Sequence, residues 1–160
     1  MFKKLLTTRS LCLSAIIAAL YAALTLLLAP ISYGAIQCRV SEAMTLLPML
    51  LPQAIPGLFV GCLVANLFTG MATDVIFGSL ATLIAAAGTY FLRRKPLLAA
   101  ACPIAANGVI VGLVLSLSYG LPIWLTMLEV AAGEAAAVAL GYFVLIPAIR
   151  RSRIDLSKFS

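Results

Sequence analysis

Three short basic clusters punctuate this chain, and each abuts an apolar run: Lys3, Lys4 and Arg9 at the start, Arg93, Arg94 and Lys95 in the middle, and Arg150, Arg151 and Arg153 near the end. In membrane proteins, basic residues that flank apolar segments collect on the cytoplasmic side. With all three clusters on that side, the chain crosses an even number of times between each successive pair. No other feature restricts the topology as much. Composition supports treating the apolar runs as membrane segments: 64% of the residues are hydrophobic, 10% are charged and the mean hydropathy is +1.15, far outside the range of soluble domains. The net charge of +6 would suit a nucleic-acid partner if it formed one face. Distributed at the ends of apolar runs, it points to the lipid bilayer and to no nucleic acid.

The parity condition is met by six crossings with both termini cytoplasmic. The expectation is an all-α integral membrane protein, a compact bundle of six transmembrane helices in one membrane domain over 1–160, localised to the plasma membrane. Its spans fall at about 9–29, 42–52, 56–68, 75–92, 97–118 and 122–149. The basic start followed by an apolar run has the outline of a signal peptide, but residues 11–29 are long enough to span and more spans follow, so the first helix is read as retained. Pro30 is expected to end it, because a proline disfavours helix in the residue before it. A loop over 32–40 follows, after which Ser41 caps the second helix and places Glu42 in its first turn. Pro48, Pro52 and Pro56 cut the run 46–68 into a short hairpin. Thr73 or Asp74 is expected to cap the fourth helix, and Tyr119, Gly120 and Pro122 separate the last two. The second and third helices are short for a hydrocarbon layer of about 30 Å.

Charge inside so apolar a chain is costly, which makes PISYGAIQCRVSEAMTLLP, residues 30–48, the leading site. It holds Gln37, Arg39, Ser41 and Glu42 within six positions. Glu42 has two readings, a residue that complements the helix dipole and pairs with Arg39 or a ligand contact. Counting helical rise from the outer breaks puts Asn107 about 17 Å and Glu134 about 18 Å below the surface, at one depth. Glu134 should therefore face the bundle interior, as an acceptor for a ligand or a polar bond between helices. Asn107 has the same two readings. Glu129 lies five residues from Glu134, about 140° around the helix, so the two do not share one narrow cavity. Tyr33, Asn66, Trp124 and Glu129 are secondary candidates. An outer aromatic belt also accounts for Tyr33, Tyr119 and Trp124, while Asn66 and Asp74 read as structural.

The chain has no histidine, and Cys12, Cys38, Cys62 and Cys102 are scattered without a CxxC pair, so no metal site or disulfide framework is expected. A phosphate-binding GxxxxGK[ST] loop and a histidine-based acid and base pair are both missing from the sequence, which argues against an enzyme. The first helix repeats Ala15, Ala19 and Ala23 with Ala18 and Ala22 beside them. Small residues at this spacing let helices approach closely, within the bundle or against another subunit.

The stretch 30–48, followed by IPGLFVGCLVANLFTG, DVIFGSLATLIAA, Asn107 and the Gly133-Glu134-Ala135 step, resembles the QueT family over about 15–145. The resemblance implies a six-helix substrate-capturing S component of an energy-coupling factor (ECF) transporter for queuosine precursors. It implies a site that opens outward and a first-helix alanine motif that docks on a T subunit; the polar residues read above supply that site with Glu134 or Glu42 as acceptor and Gln37, Arg39 or Asn107 as donor. Two partner ATPases would hydrolyse the ATP, and the chain itself would need no cofactor. Cys38 departs from the aromatic residue the family often carries after the glutamine. A deazaguanine presents adjacent N–H donors beside a carbonyl, which a carboxylate together with an amide or arginine complements. Other purine-like or vitamin-like ligands fit the same groups. A stand-alone secondary transporter with Glu134 as its proton-coupling carboxylate remains open from the residues, as does a non-transporting assembly subunit.

Overall fold

The computed structural model describes residues 7–32, 39–68 and 72–152. Tyr33, Gln37 and Cys38, together with Lys3, Lys4, Gly70 and Arg153, lie outside the described residues. All regular structure among the described residues is helical, in six principal segments: α1 Thr8–Leu27, α2 Val40–Met49, α3 Ala54–Leu67, α4 Asp74–Phe91, α5 Pro96–Tyr119 and α6 Ile123–Arg151. Four of them, α1, α4, α5 and α6, are long and apolar enough to cross a membrane. The 14 residues of α3 are apolar but fall below that length.

The local chemistry sets most boundaries. Thr7 caps α1 by accepting from the Ser10 backbone N–H. That helix stops at Leu27, before Pro30, and the proline falls instead within a separate single turn, Ala29–Ser32. A missing N–H costs nothing at the start of a helix, so Pro30 is accommodated there rather than acting as a terminator. Pro96 opens α5 for the same reason, and Gly120 closes it in the left-handed conformation at φ 67°, which glycine adopts without a Cβ clash.

The second segment departs from its expected form. It runs over Val40–Met49 as a 3₁₀ helix, and all eight residues 41–48 are buried. Arg39 rather than Ser41 precedes it, with no side-chain cap, and Ser41 lies within the segment. Runs of 3₁₀ beyond three or four residues are uncommon. Here α2 is enclosed by its neighbours: a Cβ on Gly141 of α6 would lie 2.4 Å from the Ala43 carbonyl oxygen, so only glycine lets the two backbones come this close. Asp74 and Thr73 do not cap α4 through their side chains. The helix begins instead with a wide π turn, Asp74–Gly78.

Helix α1 packs on α3 through glycine. A Cβ on Gly61 would lie 2.8 Å from the Ala18 carbonyl oxygen. Ile17 and Tyr21 of α1, Met44 and Leu47 of α2, Leu58 of α3 and Ala86 of α4 join in one buried cluster. This contact divides the alanine motif. Ala18 and Ala22 are buried inside the bundle, whereas Ala15, Ala19 and Ala23 are exposed beside Ile16 and Leu20. Of the two alanine sets that match a docking motif, Ala18 and Ala22 are thus taken up by the bundle, Ala18 against Gly61 of α3, and only Ala15, Ala19 and Ala23 remain open to another subunit.

Candidate functional site

The polar residues of the interior converge between α2, α5 and α6. Glu42 stands in the first turn of α2 and is 1% exposed. The phenol of Tyr21, on α1, donates to its Oε1. Thr82 of α4 places its Oγ1 3.4 Å from the same oxygen. Oε2 has no hydrogen-bond partner among the described residues. Facing it, the Asn107 amide of α5 donates to Glu134 Oε1 of α6 at 3.0 Å, and the amide oxygen of Asn107 is buried without a hydrogen-bond partner among the described residues. The bond puts Asn107 and Glu134 level with each other, as counting helical rise predicts.

Arg39 closes the cluster just ahead of α2. Its Nη2 donates to Asp74 Oδ2 at 2.9 Å, with both side chains buried. The expected alternative partner was Glu42, but the wide opening turn of α4 brings Asp74 within reach. Asn66 of α3 donates through Nδ2 to the Asp74 carbonyl at 3.0 Å and so braces that turn. Together Arg39, Glu42, Asn107 and Glu134, with Val111 and Val130, line one gap of about 10 Å³. Pockets that enclose small ligands measure about 300–1,000 Å³, so a ligand larger than water enters this gap only as the surrounding helices part.

Four sequence-predicted residues thus meet in one place. Gln37 and Tyr33 lie outside the described residues. Asn66 is buried behind Asp74 and does not line the gap. Trp124 is 83% exposed and lines a separate apolar groove of about 490 Å³ with Met127 and Leu128. That groove is far larger than the polar gap, but its side chains offer a ligand only the Trp124 indole N–H, so the polar cluster is the better candidate. Glu129 is half-buried and points away from the face that Glu134 presents. Tyr21 and Asp74 were not foreseen as parts of this cluster. A signal for Tyr21 was present, since it stands four residues before Thr25 on the face that also carries Ala18 and Ala22, and both polar side chains are fully buried.

The profile of the QueT transporter family matches residues 11–150. The chain belongs to that family. Membership places it among transporters rather than enzymes, in keeping with the motifs of residues 30–48. The queuosine precursor transporter QueT of Lactococcus lactis subsp. cremoris (strain MG1363) is 42% identical over 72 residues. The matched region makes up 44% of this QueT-family chain and 43% of that relative, less than half the length of either. No solved structure matches the chain.

Proposed function

We propose that this chain is the substrate-capturing S component of an ECF importer. It takes a queuosine precursor of deazaguanine type from outside and delivers it through a T subunit and two ATPases, which hydrolyse the ATP. The observation that carries this reading is the acceptor-rich gap: the carboxylates of Glu42 and Glu134 and the Asn107 amide oxygen, beside one arginine, around a single space. A deazaguanine edge offers adjacent N–H donors to such acceptors and a carbonyl to a donor. Family membership supports the transport role, and the relative's name supports the ligand class. Calorimetry on the solitary purified protein tests the reading. Saturable binding of deazaguanines and none of vitamins is expected; the converse would overturn it.

In this reading six segments cross or enter the bilayer with both termini cytoplasmic, as the three basic clusters require. Cysteine-accessibility labelling should find positions beside Arg94 and Arg151 inside and a position beside Gly120 outside. An external position at Arg94 would remove the six-span arrangement.

Docking on the T subunit falls to the exposed alanines of α1. Ala19→Leu keeps the helix apolar while filling the surface that allows close approach. Assembly with the T subunit and uptake should fall while ligand binding by the isolated chain is retained. Ala22→Leu should instead lower the melting temperature, because Ala22 is enclosed in the bundle and enlarging a packed site costs about 1–3 kcal/mol. Full assembly with both Ala15 and Ala19 enlarged would exclude this face.

A further inference from the structure

We infer that Tyr21 is a positioning residue of the ligand site, holding Glu42 from α1 and thereby tying that helix to the site. The inference rests on the transport reading above and goes beyond it in assigning a role to a residue outside the gap. Tyr21 is fully buried and belongs to the core cluster that joins α1, α2, α3 and α4. Ile17, Met44 and Leu58 share that cluster, and Gly61 brings the α3 backbone close to Tyr21, where an added Cβ would lie 2.9 Å from the Tyr21 Cβ. Its phenol has one proton, and that proton goes to Glu42 Oε1.

The chemistry that follows is directional. A carboxylate has two oxygens and can rotate to exchange them unless one is held. Tyr21 engages Oε1 while Oε2 remains without a partner in the cluster that lines the gap. Glu42 therefore offers the gap one acceptor in a fixed orientation rather than two that are averaged. Preorganising an acceptor in this way removes an ordering cost that the ligand would otherwise meet. The same bond has a second effect. Residues 15, 19 and 23 of α1 are exposed while position 21 bonds to Glu42, so the helix that presents the outer alanines is also bonded to a residue that lines the site. A displacement of Glu42 by ligand is passed to α1 by the Tyr21 bond, beside the bond from Thr25 to Ser41 that joins the same two segments.

Phenylalanine at this position removes only the phenol oxygen. Tyr21→Phe should weaken deazaguanine binding by the full-length purified chain about tenfold, the size of one lost hydrogen bond to a charged group. In a Glu42→Ala background, which removes the acceptor altogether, the same change should alter affinity by less than about twofold, because a residue that acts through Glu42 has nothing left to position. A tyrosine that serves packing alone would cost the same factor in both backgrounds, and that result overturns the inference. Infrared difference spectra supply a readout independent of affinity. The carboxyl band that disappears in Glu42→Gln should shift in Tyr21→Phe, and an unshifted band also overturns it. Should the phenylalanine protein fail to fold, fluorotyrosine at position 21, with the same shape and a stronger donor, takes its place with the same two comparisons. A parent chain that binds none of the deazaguanines defeats the transport reading and this inference together, whereas equal losses in both backgrounds defeat the inference alone.

Discussion

Asp74→Ala is expected to destabilise the folded chain by about 3–5 kcal/mol, the cost of removing one partner from a buried ion pair. Arg39 and Asp74 meet at 2.9 Å with side chains only 8% and 5% exposed, so water cannot take over the solvation that the carboxylate provides. The loss should appear as a lower melting temperature in detergent and an earlier denaturant midpoint. Asp74→Asn keeps an acceptor oxygen near the guanidinium and should lose less. Replacing both partners by apolar residues of similar size should recover much of the loss, because the desolvation of two charges is removed together with their attraction. A melting temperature unchanged in Asp74→Ala would show that the pair contributes nothing to the fold.

Glu134→Gln is expected to weaken ligand binding by about 1–3 kcal/mol, the cost of leaving a buried polar group without its partner. Glutamine preserves the length of the side chain but puts an amide donor where one carboxylate oxygen stood. Asn107 already donates to Glu134 Oε1, so the new amide can keep that bond through its own oxygen. The fold should survive, and the change in affinity then reports on the ligand. In an S component, uptake depends on the partner ATPases and is indifferent to a proton gradient. If Glu134 couples protons in a stand-alone transporter, the same substitution should instead abolish gradient-driven uptake that needs no ATPase. Unaltered affinity in folded Glu134→Gln, with a ligand that binds the parent, would remove Glu134 from the site and leave Glu42 as the acceptor to test.

The parts of this architecture visible in the sequence are those with a one-dimensional signature. Apolar runs bounded by Gly120 or by the 93–95 basic cluster translate directly into helices, because length and turn chemistry act locally. Asn107 and Glu134 could be placed at one depth because rise per residue is constant along a helix. The 3₁₀ winding of α2 was not legible, since it depends on how closely α6 approaches at Gly141, a tertiary fact. The Arg39–Asp74 pair was missed for a related reason. A residue before a helical segment reads as a cap in sequence, and only the wide turn that opens α4 reveals that its side chain faces α2 instead. Tyr21 was hidden by the helix around it, whose apolar character made an aromatic residue look like one more core side chain. The alanine motif was seen, but its division into a buried and an exposed half needed the position of α3.

The wide turn Gly141–Leu145, closed by a bond from the Ile146 N–H to the Gly141 carbonyl, changes how this part of the chain tolerates insertions and deletions. Val138 and Ile146 are eight residues apart, a spacing that an uninterrupted α-helix would rotate by about 80°. Both nevertheless lie buried beside Leu46 in one cluster, because the wide turn absorbs one extra residue. Deleting a single residue inside the turn would restore regular pitch with seven residues from Val138 to Ile146, about 20° apart around the axis, and so keep that apolar anchor in the core, whereas the same deletion in the regular part of the helix between Val138 and Ile146 would swing Ile146, Arg150 and Arg151 by about 100°. A substitution at the same place would leave that phase untouched. When QueT-family sequences are aligned, a one-residue gap within 141–145 therefore preserves the phase of this helix, and a gap elsewhere between Val138 and Ile146 does not.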